Sequence, residues 1–400
     1  MACEQVTLQD VCELIVDCPH TSAKDEGVGH PLIRTPNVGR GRLILADVHR
    51  VSQDVYERRV SRAVPRQGDL ILAREAPAGN VAIVSPGIEV CLGQRTMLLR
   101  PDSSFVVPEY LNYYLNAPEQ RDRMLRLANG ATVSHINVAD IRNMPVQLPS
   151  RGEQSKVAEL LNVLDDKIDL NNRLNDYLEQ LCQSLFDRFD NDENNLFAKV
   201  SDIADVNPRR TLKKGEEALC VEMADLSTTG AFPTDWRTKA YNGGVKFVNG
   251  DTILARITPC LENGKAGYIN FLEQDEVAFG STEYIVLTSK GELPSEFFYF
   301  LARNEDFISY ATAHMNGSSG RQRVSGADVG NYEVRMPSEK QVSEFKEIAG
   351  KAMRVISASS IESRKLAQSR DALLPKLMSG EIDVSEVDLT QPTNNHLTDC

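Results

Sequence analysis

Short apolar runs set the rhythm of the first 150 residues. Arg42-Leu43-Ile44-Leu45, Asp69-Leu70-Ile71-Leu72-Ala73, Val81-Ala82-Ile83-Val84 and Thr96-Met97-Leu98-Leu99 are punctuated by Pro65, Gly68, Pro77, Gly79, Pro86 and Gly87. Runs so short, bounded by turn formers, read as strands. From Pro108 the period changes, and Tyr110, Leu111, Tyr113, Tyr114 and Leu115 fall on the apolar side of a helix that the proline opens. The strand pattern returns at Asp251–Ala255, Ala266–Asn270 and Glu283–Leu287, and a second helix near Pro294 carries Phe297, Phe298, Phe300 and Leu301. The helical spacing of these aromatics predicts core packing, not base stacking.

Two longer patterns follow the two mixed segments. A 4-3 spacing selects Val157, Leu161, Leu164, Ile168, Asn171, Asn175, Leu178, Cys182, Leu185 and Phe189. A 3-4 spacing selects Val342, Phe345, Ala349, Ala352, Ile356, Ser359, Ser363, Leu366, Arg370, Leu373 and Leu377. The first seam is large and branched in its outer parts and the second is small in its middle, which suits two helices packed on each other. Asn171 and Asn175 would pair with Ser359 or Ser363 and fix the register. The alternative is two amphipathic helices, each packed on its own module. About 36 helical residues span roughly 50 Å, and modules at opposite ends require the helices to run antiparallel.

The chain also repeats itself. Gly68-Asp69-Leu70-Ile71-Leu72-Ala73-Arg74 returns as Gly250-Asp251-Thr252-Ile253-Leu254-Ala255-Arg256, 182 residues later. Gly93 answers to Gly280, Pro108 to Pro294, Asn129-Gly130 to Asn316-Gly317, and Met144-Pro145-Val146-Gln147-Leu148-Pro149 to Val334-Arg335-Met336-Pro337, with Pro149 matching Pro337. A repeat this long is a duplicated domain, not a solenoid unit. The expected segments are a module over 1–150, a helix over 151–195, a second module over 196–337, a second helix over 338–380 and an acidic flexible tail over 381–400.

Charge sharpens the picture. The net charge of −13 would argue against nucleic acid if it were evenly spread. Residues 151–195 carry a net of −6 and residues 371–400 a net of −5, whereas residues 19–100 carry +4. The connectors are acidic and the first module is basic. No apolar run approaches the ~20 residues that cross a bilayer, and the N-terminus lacks the basic start and apolar stretch of a signal peptide; a cytoplasmic protein is expected, with no membrane partner. The eight cysteines form no C-x-x-C pair and the six histidines no ligand spacing, so no metal site is expected.

Catalytic motifs are missing. There is no Gly-rich cofactor loop with an Asn/Asp-Pro-Pro-aromatic tetrad; Asn207-Pro208-Arg209-Arg210 lacks the second proline and the aromatic. Pro259 stands where a Walker A loop ending at Gly264-Lys265 needs glycine. No nucleophile elbow and no nuclease-type carboxylate cluster is present. The chain reads as non-catalytic.

Leu148-Pro149-Ser150-Arg151-Gly152-Glu153-Gln154, Leu160-Leu161-Asn162-Val163-Leu164-Asp165-Asp166-Lys167-Ile168, Asn171-Asn172-Arg173-Leu174-Asn175 and Leu181-Cys182-Gln183-Ser184-Leu185-Phe186 closely resemble the central helix of Type I restriction-modification specificity (S) subunits. Leu373-Leu374-Pro375-Lys376-Leu377-Met378-Ser379-Gly380-Glu381-Ile382 resembles the end of that family's distal helix. The second helix keeps a Glu-x-Gln start at Glu339-Lys340-Gln341 but otherwise departs from the first. The resemblance implies an α+β fold, with two pseudo-repeated α/β target recognition domains separated by two long antiparallel coiled-coil helices. It implies that each domain reads one half of a bipartite double-stranded DNA target. The helices would set the gap and dock two methyltransferase (M) subunits, with restriction (R) subunits joining through that complex. It implies no cofactor on this chain; S-adenosylmethionine and ATP would bind the partner subunits.

Phosphate contacts position a protein on DNA and base contacts specify, so the candidates are Arg, Lys and small polar residues on loops. In the first module these are Arg34, Arg40, Arg42, Arg58, Arg59, Arg62 and Arg74, with Thr132, Ser134 and His135 in the Asn129–His135 loop. In the second they are Arg209, Arg210, Lys213, Lys214, Arg256 and Lys265, with Ser318, Ser319, Arg321, Gln322 and Arg323 in the matching loop. Arg321 and Arg323 suit guanine edges and Gln322 an adenine. Arg74 and Arg256 recur at one repeat position, so a shared structural turn is the competing reading. A protein-binding scaffold with two gripping modules fits the same architecture; its binding would be insensitive to salt, because no phosphate counterions would be released. An enzyme with an unrecognised site would turn over substrate as the isolated chain.

Overall fold

A computed structural model of the chain describes residues 4–76, 78–128, 135–191, 196–318 and 320–384. Its backbone divides into two compact units. One takes the described residues of Met1–Asp165 and Gln368–Cys400, and the other takes Asp166–Ala367. This cut differs from the five expected segments: it falls inside both long helices, so each unit owns a stretch of each.

In the first unit, Cys12–Asp17, Thr96–Pro101, Leu70–Ala73, Val81–Ile83 and Gly41–Arg42 form a five-stranded sheet in that spatial order. In the second, Ala204–Val206, Tyr284–Ser289, Thr252–Ala255 and Ala266–Tyr268 form a four-stranded sheet whose order matches the first four. A second sheet also recurs. His30–Ile33 pairs in parallel with Cys91–Leu92 and antiparallel with Arg50–Val51. Glu217–Val221 likewise pairs in parallel with Ala278–Gly280 and antiparallel with Arg237–Ala240. Each unit has a small two-stranded ribbon as well, Glu4–Thr7 with Pro145–Leu148 and Phe197–Lys199 with Glu333–Arg335. The sequence repeat is thus a repeat of topology.

The central strands Leu70–Ala73 and Thr252–Ala255 are buried along their whole length. That explains why they read as continuous apolar runs, since both faces of the sheet are covered. The glycine before each strand has a left-handed backbone, φ 85° at Gly68 and 87° at Gly250. That conformation favours glycine, and the turn packs on the start of the next helix, at Pro108 and Ser295 respectively. Those helices run Pro108–Asn116 and Ser295–Arg303 and bury the expected aromatics.

Arg151–Phe186 is one 36-residue helix and Glu339–Met378 one of 40. Within the first unit, Val157 and Leu161 share a core with Leu374 and Leu377. Within the second, Cys182, Leu185, Phe189, Phe345, Ala349, Ala352 and Ile356 share the core of the module. The expected seam is therefore also module core at these positions. Leu164, Ile168, Leu178, Val342, Leu366 and Leu373 are half-buried. Where the second unit's helix stretches face each other the seam turns polar. Asn171 Nδ2 donates to the Ser359 carbonyl, Glu362 Oε2 and Ser363 Oγ, and Asn175 pairs with Ser359 and Ser360. Rising numbers on one helix meet falling numbers on the other, so the two run antiparallel.

Each module is tied to the first long helix by a tyrosine at the same place in its own helix, five residues after Pro108 or Pro294. Tyr113 donates to Asp165 Oδ2 at 2.7 Å, and Asp165 Oδ1 accepts from Arg370 at 2.6 Å. Tyr299 donates to Glu179, whose other oxygen accepts the Ala231 amide. Burial pushes the Glu179 carboxyl above its ordinary range, against the pull of Tyr299.

Arg42-Leu43-Ile44-Leu45 does not form the expected strand. The sheet strand ends at Arg42, Leu43 makes only an isolated bridge to Val38, and the Ile44 amide folds back onto the Asn37 carbonyl. Among the described residues the six cysteines are unpaired, no cluster of metal-ligand side chains occurs, and no helix is long and apolar enough to cross a membrane.

Candidate nucleic-acid interface

The turn after each central strand presents the repeated arginine. The Arg74 carbonyl accepts the Ile136 amide at 3.1 Å, and the Arg256 carbonyl accepts the Val324 amide at 3.0 Å. The side chains then diverge. Arg74 Nη1 pairs with Asp17 at 2.7 Å and its Nε donates to the Ile136 carbonyl at 2.9 Å. This is the shared-turn reading, realised in the first module. The Arg256 side chain makes no hydrogen bond or ion pair among the described residues, and its Nε is buried without a partner.

Several other first-module candidates are consumed by the fold. Arg59 is buried, donating to the Leu92 carbonyl at 2.8 Å and to that of Thr21. It has no surface left for a phosphate. Arg62 reaches the Asp17 carbonyl at 3.4 Å. Arg34 is half-buried against Gly93, and Arg42 is half-buried. Arg40 and Arg58 are exposed, the latter in the last turn of the helix Gln53–Arg59. His135 is half-buried and meets Asn137 Oδ1 at 3.2 Å. Thr132 and Ser134 lie outside the described residues.

The second module divides in the same way. Lys265 Nζ donates to the Met223 carbonyl at 2.9 Å. Arg210 grips Asp251, a fully buried carboxylate that also accepts from Thr288 Oγ1 and the Val248 amide. Arg323 grips Glu283 through Nε and Nη2 and holds that carboxyl below its ordinary range. Arg323 is thereby diverted from the guanine edge expected for it. Arg321 and Ser318 stay exposed at the tip of a tight hairpin closed by Asn316 and Arg323, with Gln322 half-buried beside them. Ser319 lies outside the described residues. Lys213 and Lys214 are exposed.

Three expected residues come together. Arg209, Arg210 and Arg256 line one open cavity of about 540 Å³, with Thr211, Thr282 and Lys246. No Asp or Glu lines it. Lys246 was not singled out in the sequence. Its signal was the Asn242-Gly243-Gly244 turn just before it: Gly244 has φ 113°, and a Cβ there would lie 2.0 Å from the Gly280 carbonyl oxygen. Only glycine brings Lys246 to this edge.

Residues 2–180 match the model of the Type I restriction modification DNA specificity domain. The chain is 20% identical over 399 residues to the HindI specificity subunit of Haemophilus influenzae, covering 79% of this chain and 87% of that protein. It is 22% identical over 380 residues to the MjaIX specificity subunit of Methanocaldococcus jannaschii, covering 85% and 84%. The crystal structure of a Type I S subunit from M. genitalium shares the fold, with a TM-score of 0.57 at 15% identity over 94% of this chain and 96% of that one. A duplicated module, two long helices and matches running through both halves are what the chain has in common with the specificity subunits of Type I restriction-modification systems.

Proposed function

We propose that this chain is the non-catalytic, cytoplasmic DNA-reading subunit of a Type I restriction-modification complex. Each module reads one half of a bipartite target, and the long helices fix the gap and dock two M subunits. R subunits join through that complex, while S-adenosylmethionine and ATP are handled by the partners. The observation that carries this reading is the repeat of one sheet order in both units of a chain matched to specificity subunits. Two copies of one reader suit a target in two parts.

A further feature supports docking on the first helix. Leu170, Leu174, Tyr177 and Leu181 are exposed at 61%, 42%, 70% and 48%, and their 4-3-4 spacing puts them on one face. An apolar heptad stripe left in water fits a helix from a partner protein. Methylome sequencing with and without the chain, in a host expressing the M subunit, tests the function. The expected result is a bipartite N6-methyladenine motif that vanishes on deletion and changes in one half when residues 1–150 are exchanged. An unchanged methylome refutes it. L170D with Y177D should abolish co-purification of M while leaving the melting of the chain intact.

A further inference from the structure

The cavity on the second module is built from donors. Arg210 is neutralised by Asp251, and Glu283, whose carboxyl also feels the charge of Arg256, is gripped by Arg323. Arg209 and Arg256 therefore leave an excess of positive charge around it, and Lys246 adds to it from the edge while its Nζ donates to the Arg210 carbonyl at 3.1 Å. Nε atoms of both Arg210 and Arg256 are buried with nothing to accept them. Among the described residues the chain supplies Arg256 with no side-chain acceptor. In the first module the acceptors are internal, because Asp17 and the Ile136 carbonyl satisfy the equivalent Arg74. Asp17 stands opposite Met97 at the end of its strand. The matching strand of the second module leaves its sheet at Asn207-Pro208, with Asn207 at φ 55°, so that Pro208 and not an acid stands at the place of Asp17.

We propose that this cavity seats a backbone phosphate of DNA, with Arg256 and Arg209 as its ligands and Lys246 at its edge. The assignment rests on the DNA-reading function proposed above. A phosphate is the part of the duplex that fits. It projects outward and offers only acceptors, whereas base edges lie at the floor of a groove that a convex element must enter. The one carboxamide oxygen at the rim, that of Asn207, is already used by the Val286 amide. The seat would fix the second module on its half-site without reading sequence.

The test titrates the full chain with a mixed-sequence duplex between about 50 and 200 mM salt, where each phosphate contact contributes a slope of about −0.9. R209Q and R256Q should each flatten the slope by about 0.9, so that each loses about 3.5-fold less affinity than wild type across that range. R256K should retain the slope. The methylated motif of the complex should keep both halves in every variant. Arg209 is exposed and unpaired among the described residues, so R209Q keeps the test open if R256Q misfolds. An unchanged slope in both glutamine variants overturns the phosphate seat while leaving the DNA-reading function intact. A motif altered in one half also overturns it, in favour of base reading. Wild-type chain that binds no duplex at any salt overturns both.

Discussion

Asp251→Ala tests how the second module is held together. The carboxylate is fully buried and takes two contacts of 2.7 Å from Arg210, one from Thr288 and one from the Val248 amide. Burial nevertheless pushes its pKa above the ordinary value, outweighing those donors. The pair as a whole is therefore not a large source of stability, yet breaking it strands the Arg210 guanidinium, whose side chain is only 16% exposed. Removing one partner of a buried pair costs about 3–5 kcal/mol. For a unit spanning Asp166–Ala367, at about 2–4 °C per kcal/mol, the melting transition should fall by about 6–20 °C. Differential scanning calorimetry of the full chain measures it. The paired replacement D251L with R210M should recover most of the loss, because apolar groups of similar volume often replace a buried pair without cost. A loss below about 1 kcal/mol in D251A, or a double variant no better than the single, would refute the reasoning.

Three further outcomes are expected. Arg59→Ala should lower stability by about 2–3 kcal/mol in urea unfolding, through two orphaned carbonyls, and should leave the salt slope of DNA binding unchanged. Glu179 has a raised pKa in the folded state, so its favourable contribution is complete below the ordinary value of 4.5 and is lost as pH rises through the folded value. Glu179→Gln should therefore flatten the fall in stability above pH 4.5; an unaltered pH profile would remove the carboxylate from the account. Asn171→Ala removes the donor shared by Ser359, Glu362 and Ser363, and should cost about 1–3 kcal/mol, read as faster hydrogen exchange in both helices near these residues.

Strands such as Leu70–Ala73 and Thr252–Ala255 were legible because both faces are buried and the apolar run is unbroken. The register residues Asn171 and Asn175 stood out as polar breaks in an apolar seam. The second sheet of each unit was not legible: Cys91–Leu92 is two residues long and its parallel partner lies some sixty residues away. The arginines were the hardest to sort. Whether an arginine is free depends on carbonyls that the fold delivers from afar, as with Arg59 and Leu92. Local sequence carries no trace of that. Arg74 and Arg256 show the same limit within a single repeat, since one neighbouring strand supplies Asp17 and the other supplies proline.

The order in which the chain is synthesised acquires a meaning from the division into units. Asp166–Ala367 is continuous, whereas the core of the other unit joins Val157 and Leu161 to Leu374, Leu377 and Val384. The later segment emerges from the ribosome more than two hundred residues after the earlier one. The second module can mature while the first still awaits the apolar residues that close its base. A frameshift or stop codon shortly before Leu374 would thus injure the end of the protein translated first, leaving the later-made module with its own core complete.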